Sequence, residues 1–294
     1  MRRTRAEKMF NVFNIILLGL VSLTCVVPIL NTMAISFSDP LPVNRNQVTL
    51  WPIGFNVTAY QFLLTNARFW RAALVSVERV LLGTAINLTL MVTCAYPLSK
   101  EPDKFQFRTV YSWLFVFTML FSGGLIPTFM QVSSLGLLDT IWALTLPGAV
   151  NVFNMVLMLN FFRGIPTQLE EAATIDGAGH FKTLTRIYIP CSLPAIATLA
   201  LLSTVSHWNA WFDGIIYSNR IESYPLQSYL QSVIVGMQMM RNEMTIERYA
   251  MFSSLNDRSI RAAQIIIAML PIAMVYPYLQ KYFVTGIVLG SVKE

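Results

Sequence analysis

Six apolar runs restrict the fold of this chain more than any motif does: 10–33, 72–98, 107–130, 141–162, 194–217 and 260–283. Each is about as long as a helix needs to cross a bilayer, roughly 20 mostly apolar residues. A soluble all-α protein would show polar helix faces at a 3.6-residue period, and these runs lack them. Composition agrees, with 12% charged residues against roughly 25% in an average soluble domain. The expectation is an all-α integral membrane protein, one transmembrane domain over 1–294 with six spans.

The first run follows Arg2, Arg3 and Arg5, as a secretory leader would. It is too long for a leader's apolar segment, and no small-x-small site closes it before Asp39, so it is read as a retained helix. Cys25, Cys94 and Cys191 lie far apart in or beside apolar segments, as small buried hydrophobes do, and give neither a disulfide framework nor a metal spacing. With six spans the termini share a side. Arg2, Arg3, Arg5, Lys8, Lys100, Lys104, Arg108, Arg163, Lys182, Arg186, Lys281 and Lys293 fall on that side. Arg45, Arg68, Arg71, Arg220, Arg241, Arg248, Arg258 and Arg261 fall on the other, over longer segments. The positive-inside rule makes the first side, and both termini, cytoplasmic.

The net charge of +6 is modest and calls for no nucleic acid. There is no GxxxxGK phosphate loop, no cluster of metal ligands and no nucleophile–base pair, so catalytic and metal sites are expected to be absent. If ATP drives this protein, another chain must bind it.

A polar insert interrupts the apolar pattern at 163–190. Thr167 and Glu170 have capping-box spacing, in which the threonine oxygen accepts an amide of the first turn and the glutamate reaches back. The helix so started would run through Glu171, Ala172 and Ala173 to Ile175, and Asp176-Gly177 would break it in a tight turn. A second short helix over about Phe181–Tyr188 would stop at Pro190. Two short helices over about 167–189, lying on the cytoplasmic face, can enter a groove on a partner or serve as a solvated connector.

Glu171, Ala172, Ala173, Asp176, Gly177 and Ala178, followed by Phe181, Ile187 and Pro190, resemble the EAA loop of the permease subunits of bacterial ABC importers. The six-run layout also matches, so the resemblance covers essentially the whole chain and implies the type I ABC importer permease fold. It implies that Glu170, Glu171, Ala172, Ala173, Asp176, Gly177, Ala178 and Phe181 couple the chain to a separate ATPase. Trp208-Asn209 is similar to the W-N-x-F pattern of carbohydrate-uptake permeases, although Trp211 and Phe212 depart from it. The ending Gln280-Lys281-Tyr282-Phe283 through Gly286, Gly290 and Lys293 resembles the tail of the same class, closest to the branch for oligosaccharides such as alginate and aldouronate. The implied partners are a second homologous permease subunit, two ATPase subunits carrying ATP and Mg, an extracytoplasmic solute-binding protein and the bilayer of the bacterial cytoplasmic membrane.

A sugar path needs aromatic faces for ring C–H groups and polar groups for hydroxyls. The fifth run offers His207, Trp208, Asn209, Trp211, Asp213 and Tyr217, with His207 and Trp211 at an i, i+4 step that would put them on one face. The same aromatics equally fit an interfacial belt. Asp213 should face water or a partner. Glu78 joins the candidates, while its neighbour Arg79 is read as structural, snorkelling or paired with a neighbouring helix. Asn151, Asn154 and Asn160 could line a path or join helices. Gly123, Gly124 and Pro127 read as a break or kink.

The segment 218–259 has no long apolar run and is read as an outer loop, with Arg220, Arg241 and Glu243 as docking candidates for the binding protein. All eight outer basic residues are arginines, whose planar fork suits carboxylates, although Asp39, Asp139, Asp213, Glu222, Glu243, Glu247 and Asp257 nearly balance them. The expected function is ATP-driven oligosaccharide import by alternating access, with acidic sugars slightly favoured. The rival is an ion-gradient carrier, which would need inverted repeats that the sequence does not display.

Overall fold

The computed structural model describes the backbone of residues 5–243 and 256–291, and within it the side chains of residue 7, of 9–236 and of 256–277. Helices run α1 Arg5–Ser36, α2 Pro40–Asn44, α3 Thr58–Leu64, α4 Ala67–Ser99, α5 Arg108–Leu120, α6 Leu125–Ser134, α7 Ile141–Thr145 and α8 Val152–Arg163. They continue as α9 Thr167–Ile175, α10 His180–Cys191, α11 Leu193–Asn209, α12 Phe212–Tyr217, α13 Leu226–Glu243 and α14 Asp257–Ser291. Among the described residues the sole extended pairing is an isolated bridge between Ser38 and Phe55. The chain divides into two units, Met1–Phe69 with Ser232–Pro271, and Trp70–Gln231 with Ile272–Glu294.

All six apolar runs are helical, but only three are unbroken helices of spanning length: Met9–Ser36, Ala67–Ser99 and Asp257–Pro277. The third run is α5 and α6, bent by 112° across 121–124, where Gly124 takes a φ of 89° that disfavours side chains. The fourth run was expected as one helix and is two, because Pro147-Gly148 opens it between α7 and α8. Pro147 has no N–H to give, and the carbonyls freed at Gly148 and Ala149 each accept a hydrogen bond from the Asn87 amide, at 2.9 and 2.7 Å. The fifth run also breaks, since Ala210 takes an extended ψ of 122° after α11. Non-helical backbone at membrane depth requires such internal partners.

Two local expectations are corrected. The segment 218–259 is not simply a loop: the 18-residue α13 occupies 226–243 of it, since Gln, Leu and Met form helices readily without a spanning apolar run. The second coupling helix does not stop at Pro190. It continues to Cys191 through a π-helical turn at Leu184–Tyr188, whose wider i→i+5 pattern leads into the proline without needing its amide.

The core of the second unit positions the functional elements. Met91, Val92, Ala95 and Tyr96 of α4, Met155, Met158, Leu159 and Phe162 of α8, Leu184 and Tyr188 of α10, and Ala195 and Leu199 of α11 form one buried cluster. Tyr188 is its pivot, edge-on to Tyr96 at 4.9 Å and to Phe162 at 5.3 Å, an arrangement the ring quadrupoles favour. Dispersion from close packing, more than water exclusion, holds helices inside a bilayer.

Candidate functional site

α9 ends as its sequence demands. The Gly177 amide donates to the Thr174 carbonyl at 3.0 Å and the Ala178 amide to the Ala173 carbonyl at 2.8 Å, with Gly177 at a φ of +72°. This is a Schellman close, in which glycine takes the left-handed position. The turn reverses the chain into α10 and leaves Ile175 and Phe181, on either side of it, 86% and 80% exposed. Glu171, Ala172, Asp176 and Gly177 are also exposed, while Ala173 is buried and Ala178 half-buried.

The start of α9 departs from expectation. No capping box forms: Pro166 is the N-cap and no side chain caps the helix. Glu170 turns inward instead. Its Oε2 accepts from Lys100 Nζ and from the Tyr188 hydroxyl, both at 2.8 Å, and Lys100 also donates to Tyr188 at 2.9 Å. Lys104 lies 3.6 Å from Oε1. The Lys100 ammonium sits 4.0 Å from the ring centres of both Tyr96 and Tyr188, so aromatic faces replace much of its hydration. Burial opposes ionisation of Glu170, yet the bonds from Lys100 and Tyr188 prevail and hold its carboxyl below the usual range. Burial draws the Lys100 ammonium down against the pull of Glu170. The result is a buried ionic joint between the end of α4 and the exposed helix pair. Sequence reading used Lys100 only as a topological marker.

A second polar group lies along one face of α4, at Arg79, Gly83 and Asn87, spaced i, i+4, i+8. Arg79 is 3% exposed; its guanidinium makes a two-pronged ion pair with Asp213, including a 3.0 Å bond to Oδ1, and donates to the Ala210 carbonyl at 3.2 Å. It therefore ties down the break between α11 and α12. Gly83 admits His207, because a Cβ there would stand 2.5 Å from the imidazole. His207 Nε2 meets Asn87 Oδ1 at 2.7 Å, and Asn87 also holds the opened backbone at 148–149. The structural reading of Arg79 holds, and a neighbouring helix supplies its partner. Asn87 and Gly83 were missed, although an amide and a glycine four residues apart in an apolar run are the available signal.

This arrangement divides the candidate substrate path. His207 and Trp208 are buried, and Tyr217 is buried against Phe129 with stacked rings 6.3 Å apart. His207 and Trp211 do not share a face, since α11 ends between them. Asn209, Trp211, Glu78 and Asn151 remain exposed, Asn151 while capping α8 through the Asn154 amide at 3.0 Å; Asn154 itself is buried. Arg220 is exposed, its amide bonded to Asp139 at 3.2 Å. The side chains of Arg241 and Glu243 lie outside the described residues.

Interrupted spans with internally bonded breaks, and an exposed helix pair fixed to one long helix, define a membrane translocation subunit. The chain belongs to the family described as binding-protein-dependent transport system inner membrane component, which matches residues 4–288. It is similar to the polygalacturonan/rhamnogalacturonan transport system permease protein YtcP of Bacillus subtilis (strain 168), 40% identical over 92% of this chain and 94% of that one. Protein LplC of the same organism is 40% identical over 100% of this chain and 98% of its own. A solved bacterial ABC transporter involved in the import of the acidic polysaccharide alginate superposes with a TM-score of 0.83 at 33% identity, covering 96% of this chain and 99% of its own.

Proposed function

We propose that this chain is a permease subunit of an ATP-driven importer of acidic oligosaccharides in the cytoplasmic membrane, with both termini and the 163–190 segment in the cytoplasm. The observation that carries the coupling half of this reading is the pair Ile175 and Phe181, almost fully exposed beside the Gly177 turn. Large apolar side chains held in the open by a rigid turn are the anchors of a helix-in-groove interface, here with an ATPase subunit. ATP and Mg belong to that subunit, where hydrolysis supplies the energy. Docking force on α9 and α10 passes through Glu170, Lys100 and Tyr188 to α4, whose other half carries the Arg79–Asp213 pair. A second permease subunit, two ATPase subunits and an external binding protein complete the assembly, and alternating access follows from rocking the two permease subunits.

The names of two relatives support the acidic sugar, since polygalacturonan and alginate are both built of uronic acids. The exposed Arg220 suits carboxylates. The test is substrate-stimulated ATPase in liposomes bearing the whole complex and its binding protein, comparing a uronate oligomer with its neutral counterpart. Preference for the uronate is expected; preference for the neutral sugar rejects the acidic substrate while leaving the coupling reading intact.

A further inference from the structure

The segment 45–55 carries a compact apolar surface that neither the coupling joint nor the substrate path uses. Trp51 is 80% and Phe55 74% exposed, and Leu50 and Ile53 are exposed beside them. Their position follows from the hydrogen bonds around them. The chain leaves α1 at Ser36, forms α2, and reverses at Asn46, a non-glycine residue with a φ of 54°. It then returns alongside α1, where the Asn31 amide donates to the Thr49 carbonyl at 2.6 Å. From there it climbs again: the Ile53 amide donates to the Ser38 hydroxyl at 3.0 Å, and the Asn56 amide to the Phe37 carbonyl at 2.9 Å. The Phe37 and Phe55 rings stack at 5.6 Å.

Asn31 stands five residues inside the end of α1, about 7.5 Å along its axis, and within the apolar run that ends at Met33. The loop therefore descends beside a spanning helix to the depth where its apolar sequence begins. Around it the helix presents Val27, Leu30 and Met33, all exposed, so the loop's apolar side chains lie beside the exposed apolar surface of α1. Arg45 and Gln47, both exposed, precede it in the chain on either side of the reversal at Asn46. An exposed tryptophan at the end of a span fits the headgroup layer, where aromatic rings concentrate.

We infer that the 50–55 loop inserts into the headgroup and upper acyl layer of the bilayer beside the non-terminal end of α1, with Trp51 as its anchor. The occupant of this surface is phospholipid. The inference does not depend on the transported sugar or on the coupling reading.

The test places the photo-reactive aromatic benzoylphenylalanine at Trp51, Ile53 or Gln47, one site at a time, in the complete transporter in native membranes. After irradiation, intact mass of this chain is measured. Lipid-mass adducts from positions 51 and 53, several-fold more abundant than from position 47, are expected. A polypeptide adduct at position 51 would overturn the inference in favour of a protein interface, and lipid adducts no more abundant than at position 47 would overturn it in favour of a solvated loop. Because the probe is itself a bulky aromatic, the variant at Trp51 conserves the shape of the loop.

Discussion

Lys100, one residue beyond the end of α4, and Glu170, in the first turn of α9, make a 2.8 Å ion pair that is closed over by Tyr96 and Tyr188. They are 70 residues apart in sequence, so nothing local brings them together; the α4–α8–α10–α11 core does. Removing one member of such a pair leaves a charge buried without its partner, at a cost of about 3–5 kcal/mol. Lys100→Met and Glu170→Gln are therefore each expected to lower the thermal stability of the purified complex and abolish coupled uptake. The double variant should cost less than the sum of the two, because it strands no charge. Additive losses in a double-mutant cycle would mean the two side chains act independently.

The same pair sets a pH dependence. Glu170 is held below the ordinary carboxylate range, so its contribution is fully present above the unfolded value of about 4.3 and is lost as pH falls through the folded one. Lys100 is drawn down by burial, so stability contributed through it rises with pH between its folded value and about 10.4. Hydrogen exchange of the α9 amides, corrected for intrinsic rates, should show protection weakening on the acid side of the usual carboxylate range, as pH falls through the folded value of Glu170. In Glu170→Gln that acid limb should vanish. An acid limb that persists unchanged in the variant would assign it to another group.

Gly177 separates conformational from steric effects. A Cβ there meets nothing within 4 Å, yet φ is +72°, so the whole penalty of a side chain is backbone strain, about 1–2 kcal/mol and more for a β-branched residue. Gly177→Val is expected to loosen the ATPase subunit and suppress uptake while the membrane helices stay intact. Gly177→Asn, which tolerates the left-handed region, should retain most activity. Co-purification of the ATPase subunit with each variant is the measurement, and equal retention in the two would remove the turn's assigned role.

Arg79 and Asp213 test whether a charged group in the fifth run meets substrate. Asp213→Asn should lower the melting temperature, by an amount matching the roughly 3–5 kcal/mol of a stranded buried charge, and replacing both residues with methionine should recover part of the loss. A structural pair moves stability. A substrate ligand would instead change the apparent affinity for the oligosaccharide at unchanged melting temperature, and that outcome would return Asp213 to the transport path.

What was legible in the sequence was local. The apolar runs set the helices by length, and Gly124 and Gly177 break helices where expected because a glycine's backbone freedom does not depend on its surroundings, whereas the break at Pro147-Gly148 went unread inside an apolar run of spanning length. The capping box at Thr167 and Glu170 was misread because a motif four residues wide cannot register Lys100 and Tyr188 competing for the same carboxylate. The shared face of His207 and Trp211 failed for a related reason: Arg79 binds the Ala210 carbonyl, and that tertiary bond helps open the helix the spacing argument assumed. Asn87 serves two elements at once, a role that no single segment displays.

Orientation is the remaining premise of the coupling reading, and it rests on charge distribution alone. The cationic residues Lys100, Lys104, Arg108, Arg163, Lys182 and Arg186 gather around the EAA segment, and lysines retained on the cytoplasmic side are what the positive-inside rule describes. Lys104, Lys182 and Arg220 are all exposed, so single cysteines at these sites should react without disturbing packing, in a background from which Cys25, Cys94 and Cys191 have been replaced. A membrane-impermeant maleimide added to intact cells is expected to label position 220 and to spare 104 and 182 until the membrane is permeabilised. Labelling of position 182 from outside would reverse the topology. The exposed Ile175 and Phe181 would then face away from the cytoplasm, and the proposed attachment to an ATPase would fall with them.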